Sequence, residues 1–164
     1  MEYGLIGLPL GHSFSKSIHE RLGGYAYELC PVTQEEAAAL LRSRAFRGLN
    51  VTIPYKQFVI PFCDELDPAA RAIGAVNTIV NRGGRLVGYN TDFGGFLYLA
   101  NSLGVFFMGK TVLILGGGAT HRTIAAAAQS EGAARILTAS RTPGPDRISY
   151  EQARREAGVQ ILVN

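Results

Sequence analysis

Five alternating segments between residues 111 and 163 restrict what this chain folds into more than any other feature of it. Val112, Leu113, Ile114 and Leu115 form an unbroken aliphatic run, too short for a helix and ending in glycine. Such a run reads as a strand buried on both faces, over 111–115. A helical pattern follows over 120–131, a strand over 135–139, a helix over 150–156 and a strand over 160–163. Strand–helix–strand units return the chain in one direction through a right-handed crossover. The strands are therefore predicted to lie parallel, with helices on both faces of the sheet. Three strands form one βαβαβ half of a doubly wound sheet that commonly has six. The fold class predicted is thus α/β, with a Rossmann-like domain present as its first half only and an apolar edge strand left at 160–163.

The turn after the first of these strands reads Gly116-Gly117-Gly118-Ala119-Thr120-His121. Glycines spaced G-x-G between a strand and a helix suit a dinucleotide pyrophosphate. Gly116 permits a tight turn and Gly118 lets the backbone approach the phosphates. The helix start then offers unpaired amides and partial positive charge. The competing reading is a glycine turn that serves packing alone. The second strand runs into Arg141 and Thr142, where an NAD-binding chain usually places an acid on the ribose 2′-hydroxyl. An arginine there accommodates a 2′-phosphate instead. Arg141 and Thr142 are therefore read as selectors for NADP, with Arg147 as a weaker helper.

The first hundred residues are organised differently. A strand is predicted over 3–8, a helix over 17–23 and a strand over 48–53. Thr33-Gln34-Glu35-Glu36 is a capping box opening a helix over 34–44. Pro54 is expected at the first position of a further helix, carrying Lys56 just inside it. Asp67-Pro68 starts a helix that Gly74 ends, and arms at 75–81 and 85–90 form a hairpin about Gly83-Gly84. A helix capped by Thr91 or Asp92 runs to about 101, and a linker follows. This divides the chain into an α/β substrate domain at 1–101 and a nucleotide domain at 102–164. Polar residues collect at strand ends in the first part: Ser13 and Ser15, two apart and so on one side of an extended segment; Asn50 and Thr52 likewise; then Lys56, Asn77 and Asp92. Hydroxyls, an amide, a cation and a carboxylate suit a small hydroxylated acid. Each also has an ordinary structural use, as a cap, a turn residue or a solvated lysine.

Composition excludes several other classes. With 47% hydrophobic and 18% charged residues over 164 positions, the chain is globular and not disordered. No apolar run approaches the ~20 residues of a membrane helix, and no basic, apolar leader opens the sequence. Cys30 and Cys63 form no disulfide framework, and the three histidines lack clustered partners, so no metal site is expected. Buried thiols and the missing leader point to the cytoplasm. The net charge of +3 arises wholly in residues 102–164; residues 1–101 hold nine bases and nine acids. Without Lys/Arg runs this does not indicate nucleic acid, nor does anything indicate a membrane partner.

The stretches Gly-x-Pro-x-x-His-Ser-x-Ser, Asn-Val-Thr-Ile-Pro-Tyr-Lys, Gly-Ala-Val-Asn-Thr and Asn-Thr-Asp, in this order and followed by the glycine turn, resemble the shikimate dehydrogenases. The resemblance covers essentially the whole chain. It implies a substrate domain followed by an NADP domain, and NADP-dependent reduction of 3-dehydroshikimate to shikimate in aromatic amino-acid biosynthesis. It implies a small-molecule substrate and a monomer or homodimer. It makes Lys56 and Asp92 the catalytic pair and Ser13, Ser15, Thr52 and Asn77 the substrate-binding residues. Gly116, Gly118 and Ala119 fall on its phosphate loop, and Ser140, Arg141 and Thr142 on its NADP-selecting motif. Family chains run on through the rest of the nucleotide domain, so the resemblance agrees with a chain truncated within that domain. Lys16 stands where the family usually has proline and Glu20 where it often has asparagine, and the glycine turn has Ala119 where a further glycine is usual. Open alternatives are a quinate/shikimate dehydrogenase with broader substrate or NAD use, a truncated binding module that turns nothing over, and another two-domain dehydrogenase such as a methylene-folate enzyme, which the Asn50–Lys56 segment disfavours.

Overall fold

A computed structural model of the chain describes residues 1–11, 13–118 and 120–164. The chain divides into two compact units, Met1–Thr91 and Asp92–Asn164. The first contains β1 (Tyr3–Gly7), α1 (Ser15–Gly23), β2 (Glu28–Pro31), α2 (Gln34–Ser43), β3 (Gly48–Val51), a 3₁₀ turn at Ile60–Phe62, β4 (Glu65–Leu66), α3 (Pro68–Ile73), β5 (Thr78–Arg82) and β6 (Arg85–Tyr89). Its six-stranded sheet has the order β2-β1-β3-β5-β6-β4. Strands β2, β1 and β3 are mutually parallel, and β5 is antiparallel to both β3 and β6. The core gathers Ile6, Leu41, Leu49, Val51, Val59, Val76, Ile79 and Leu86.

Local signals set the helix ends. Thr33 Oγ1 accepts from the Glu36 amide and the Glu36 carboxylate accepts from the Thr33 amide, so the expected capping box opens α2. Asp67 accepts from the amides of Ala69 and Ala70 ahead of Pro68, and Gly74 ends α3 in the left-handed region at φ 69°. The helix expected after Pro54 does not form. Residues 53–59 make successive turns leading into the 3₁₀ segment. The Lys56 carbonyl accepts from the Val76 amide at 2.7 Å, a bond to a distant segment. The buried Tyr55 is tied through its hydroxyl to the Val32 carbonyl at 2.6 Å. These long-range bonds take the place of a helical ladder.

The second unit holds most of α4 (Thr91–Ser102), then β7 (Thr111–Leu115), α5 (His121–Ser130), β8 (Arg135–Ala139), α6 (Tyr150–Arg155) and β9 (Ile161–Val163). Its sheet is fully parallel in the order β8-β7-β9. Side chains of β7 alternate between the two faces. Val112 and Ile114 pack with Ala100, Phe107 and Ala128, whereas Leu113 packs with Ala139 and Ala153. Phe96 and Ala100 of α4 thus join this core, and the compact units part at Thr91, before the 101/102 division expected from the sequence. No helix among the described residues is long and apolar enough to cross a membrane.

Candidate active site

Strands β1 and β3 pair in parallel, so the segments that follow them emerge at one edge of the sheet. Pairing continues beyond both: the Leu8 amide donates to the Ile53 carbonyl and the Thr52 amide to the Ile6 carbonyl, each at 3.0 Å. The loop after β1 is thereby held beside Thr52. Ser13, Ser15 and Thr52 line one open cleft with Pro9, Leu10 and Gly11, and all three hydroxyl residues are half-buried. The serines do not converge along an extended segment, as their two-residue spacing suggests. Ser15 begins α1 and its amide donates to Ser13 Oγ at 3.2 Å, so a helix start turns them toward the cleft. Lys16 and Glu20, the two departures in this region, face one another at 3.6 Å one turn apart. His12 lies outside the described residues.

Lys56 and Asn77 are fixed at neighbouring backbone positions. The Val76 amide bonds the Lys56 carbonyl, and the Asn77 carbonyl accepts from the Val51 amide at 2.8 Å. Lys56 is half-buried and, like Asp92, takes part in interactions of its own. Asn77 is only 8% exposed. Its Oδ1 accepts from the Thr91 amide at 2.9 Å and from the hydroxyls of Thr91 and Thr78 at 3.1 Å. Its Nδ2 donates to Thr91 Oγ1 at 3.0 Å. Asn77 therefore secures the start of α4, whose next residue is Asp92. The chain of bonds continues inward. Asn50 Nδ2 donates to Thr78 Oγ1 at 3.1 Å, and Asn50 Oδ1 accepts from the Tyr27 hydroxyl at 2.6 Å. Tyr27 is 2% exposed, its ring stacked on His19 at 4.2 Å, and burial pushes its phenol above its ordinary pKa. Tyr27 carries no signature in the sequence. Thr78 and Thr91 stand in the Gly-Ala-Val-Asn-Thr and Asn-Thr-Asp stretches and Asn50 is marked by its spacing from Thr52, yet all three turn into this network.

In the second unit the glycine turn lies between β7 and α5. Gly116 adopts φ 105° and its amide bonds the Ala139 carbonyl at 2.8 Å, clasping the turn to the end of β8. A Cβ placed on Gly118 would meet no atom within 4 Å, so backbone is exposed there to an approaching group. Thr120 precedes α5 without a side-chain cap bond, and no acid occupies the first turn. These features fit a bound phosphate chain. Ala119 lies outside the described residues. At the end of β8, Arg141 and Thr142 are exposed. Ser140 is buried, and its Oγ both donates to the Thr142 carbonyl and accepts from the Thr142 amide, each at 3.0 Å. Ser140 thus shapes the loop that presents Arg141. No cluster of potential metal ligands occurs among the described residues.

Residues 5–79 match the family model described as the shikimate dehydrogenase substrate binding domain. A shikimate dehydrogenase (NADP(+)) of Halothermothrix orenii is 47% identical over 148 residues, covering 85% of this chain and 51% of that protein. The corresponding protein of Geobacillus kaustophilus is 46% identical over 149 residues, covering 85% and 54%. The chain spans about half the length of the curated relatives it matches. Among solved structures, shikimate 5-dehydrogenase from Thermus thermophilus in complex with NADP(H) and shikimate superposes with a TM-score of 0.79 at 32% identity, covering 100% of this chain and 63% of that one.

Proposed function

We propose that the chain is a member of the shikimate dehydrogenase family and that it supplies the substrate site and phosphate contacts of the cofactor site of an NADP-dependent shikimate dehydrogenase of the cytoplasm. The observation that carries this reading is the cleft shared by Ser13, Ser15 and Thr52. Three hydroxyls on two converging segments match a small ring acid that bears a carboxylate and hydroxyls. The glycine turn and Arg141 then serve NADP, with Gly116 and Gly118 at its pyrophosphate and Arg141 and Thr142 at its 2′-phosphate.

Bound NADP supplies the hydride chemistry; the chain's own residues hold the substrate and handle its proton. Ser13, Ser15 and Thr52 bind the carboxylate and hydroxyls. The Lys56 ammonium gives a proton to the oxygen of the reacting carbonyl and becomes the neutral amine; in the reverse direction that amine takes a proton from the hydroxyl. The Asp92 carboxylate orients that hydroxyl. Asn77 keeps the start of α4 in place and adds its remaining N–H to the substrate side. Loss of a positioned acid–base group lowers rate by roughly 10²–10⁴-fold. In the protein that carries this sequence, shikimate should reduce NADP(+), and Lys56→Ala should lower kcat by that amount with little change in shikimate binding. Near-normal turnover of Lys56→Ala would remove the lysine from the chemistry. Absence of NADP(+) or NAD(+) reduction with shikimate or quinate would overturn the dehydrogenase reading.

A further inference from the structure

Tyr27 supports two parts of the cleft at once. Its ring stacks on that of His19, with centroids 4.2 Å apart and planes 7° from parallel, and its amide donates to Glu20 Oε1 at 3.4 Å. His19 lies one helical turn after Ser15, and α1 has no buried residue of its own. The helix that presents Ser15 therefore leans on the Tyr27 ring. The hydroxyl serves a second path. It donates to Asn50 Oδ1 at 2.6 Å, Asn50 Nδ2 donates to Thr78 Oγ1 at 3.1 Å, and the Thr78 hydroxyl donates to Asn77 Oδ1 at 3.1 Å.

Each donor in this path fixes the next. A hydroxyl has one hydrogen, and an amide has distinct donor and acceptor ends. Burial raises the Tyr27 phenol above its ordinary pKa, so it keeps its hydrogen. With that hydrogen on its oxygen, Asn50 turns its Nδ2 to Thr78. Thr78 Oγ1 then accepts from Asn50, and its own hydrogen goes on to Asn77. Asn77 Oδ1 also accepts from the Thr91 amide at 2.9 Å. Two donors on one oxygen hold an amide plane that either alone would leave to turn about χ2. The held plane gives one Nδ2 hydrogen to Thr91 Oγ1 and keeps the second for the substrate.

We propose that Tyr27 is a positioning residue for the substrate: its hydroxyl, through Asn50 and Thr78, sets the side-chain amide of Asn77, while its ring braces the helix that carries Ser15. The proposal rests on the substrate reading of this cleft and deepens it. At 2% exposure Tyr27 touches no ligand itself. Its ring and its hydroxyl act on different binding groups, so the two are separable. Tyr27→Phe keeps the stack on His19 and removes only the donor. Asn50 then reverses its amide at little cost, and Thr78 turns its hydrogen back to Asn50 Oδ1. Asn77 Oδ1 loses a donor, and Ser15 does not move.

Calorimetric titration of the 164-residue chain with shikimate tests this. Tyr27→Phe should weaken binding roughly five-fold, the scale of one hydrogen bond. Thr78→Val cuts the same path farther along and should weaken it alike. Double-mutant cycles then separate positioning from general support. In an Asn77→Ala background Tyr27→Phe should add no further loss, whereas in a Ser15→Ala background its loss should multiply in full. A tyrosine that only supports the fold would weaken binding equally in both. In ¹H–¹⁵N spectra of the unliganded chain, Tyr27→Phe should shift the side-chain amide signals of Asn77 as well as those of Asn50, and leave the backbone signal of Ser15 in place. Thermal midpoints taken alongside show whether each variant is folded, and Thr78→Val alone decides the role of the path should Tyr27→Phe not fold. An unchanged affinity in folded Tyr27→Phe, equal losses in the two backgrounds, or Asn77 side-chain signals that stay in place would each overturn the positioning role while the substrate reading stands. A parent chain that does not bind shikimate would overturn both.

Discussion

Asn77 serves two ends at once because a side-chain amide both accepts and donates. Its oxygen holds the Thr91 amide, which would otherwise be an unpaired donor at the start of α4. Asn77→Ala should therefore cost about 1–2 kcal/mol, the usual range for a lost cap, and, on the proposed function, should raise KM for shikimate in the protein that carries this sequence. Asn77→Asp keeps the acceptor and should recover much of the stability in chemical denaturation without recovering KM. Ser15→Ala should raise KM more than it lowers kcat, since a binding hydroxyl acts on ground and transition states alike. Two further residues make pH predictions. Asp64 accepts two bonds from Arg44 at 2.9 Å and one from the Leu86 amide at 2.7 Å, and these hold its carboxyl below the ordinary value of 3.8. A depressed carboxyl stabilises the fold above its unfolded pKa, and that contribution is lost as pH falls through the folded one. Asp64→Asn should accordingly flatten the acid limb of a stability–pH curve. Cys63 is shifted the other way, up to about 11, by burial and then by neighbouring Asp64. A raised thiol pKa disfavours the thiolate, the form that alkylates. The Cys63 thiol should therefore alkylate slowly in the folded chain at a pH of about 8, below even the ordinary thiol range, and rapid modification would contradict this burial.

Elements whose signals are local are legible from the sequence. The Thr33 capping box, the Asp67-Pro68 start with its Gly74 stop, and the aliphatic run of β7 each carry start, face and end within a few residues, and each stands as expected. Thr33→Ala should destabilise by about 1 kcal/mol in thermal or denaturant unfolding. Strand β2 is not legible in this way. Glu28-Leu29-Cys30-Pro31 shows no clean alternation and ends in proline, and it becomes a strand by pairing with β1 at the sheet edge. The turns about Lys56 read as a helix for a related reason, since their partner, Val76, is remote in sequence. The site divides similarly. Ser13, Ser15 and Thr52 advertise themselves by spacing and converge on one cleft. The support behind Asn77 links residues 23, 28 and 14 positions apart, which only the folded sheet brings together.

At the scale of the whole molecule, the two units have different chemistry on separate cores. The first offers hydroxyls, an amide and a lysine at the ends of a mixed sheet. The second offers a glycine turn and arginines at the ends of a parallel one. Each ligand should therefore be felt by its own set of residues. Amide shifts in an NMR titration of the chain test this most directly. Shikimate should move the resonances of Ser13, Ser15, Thr52 and Lys56, and adenosine 2′,5′-bisphosphate those of Gly116, Gly118, Arg141 and Arg147. Shikimate that leaves the first group unmoved, or shifts only residues of the second unit, would contradict the account.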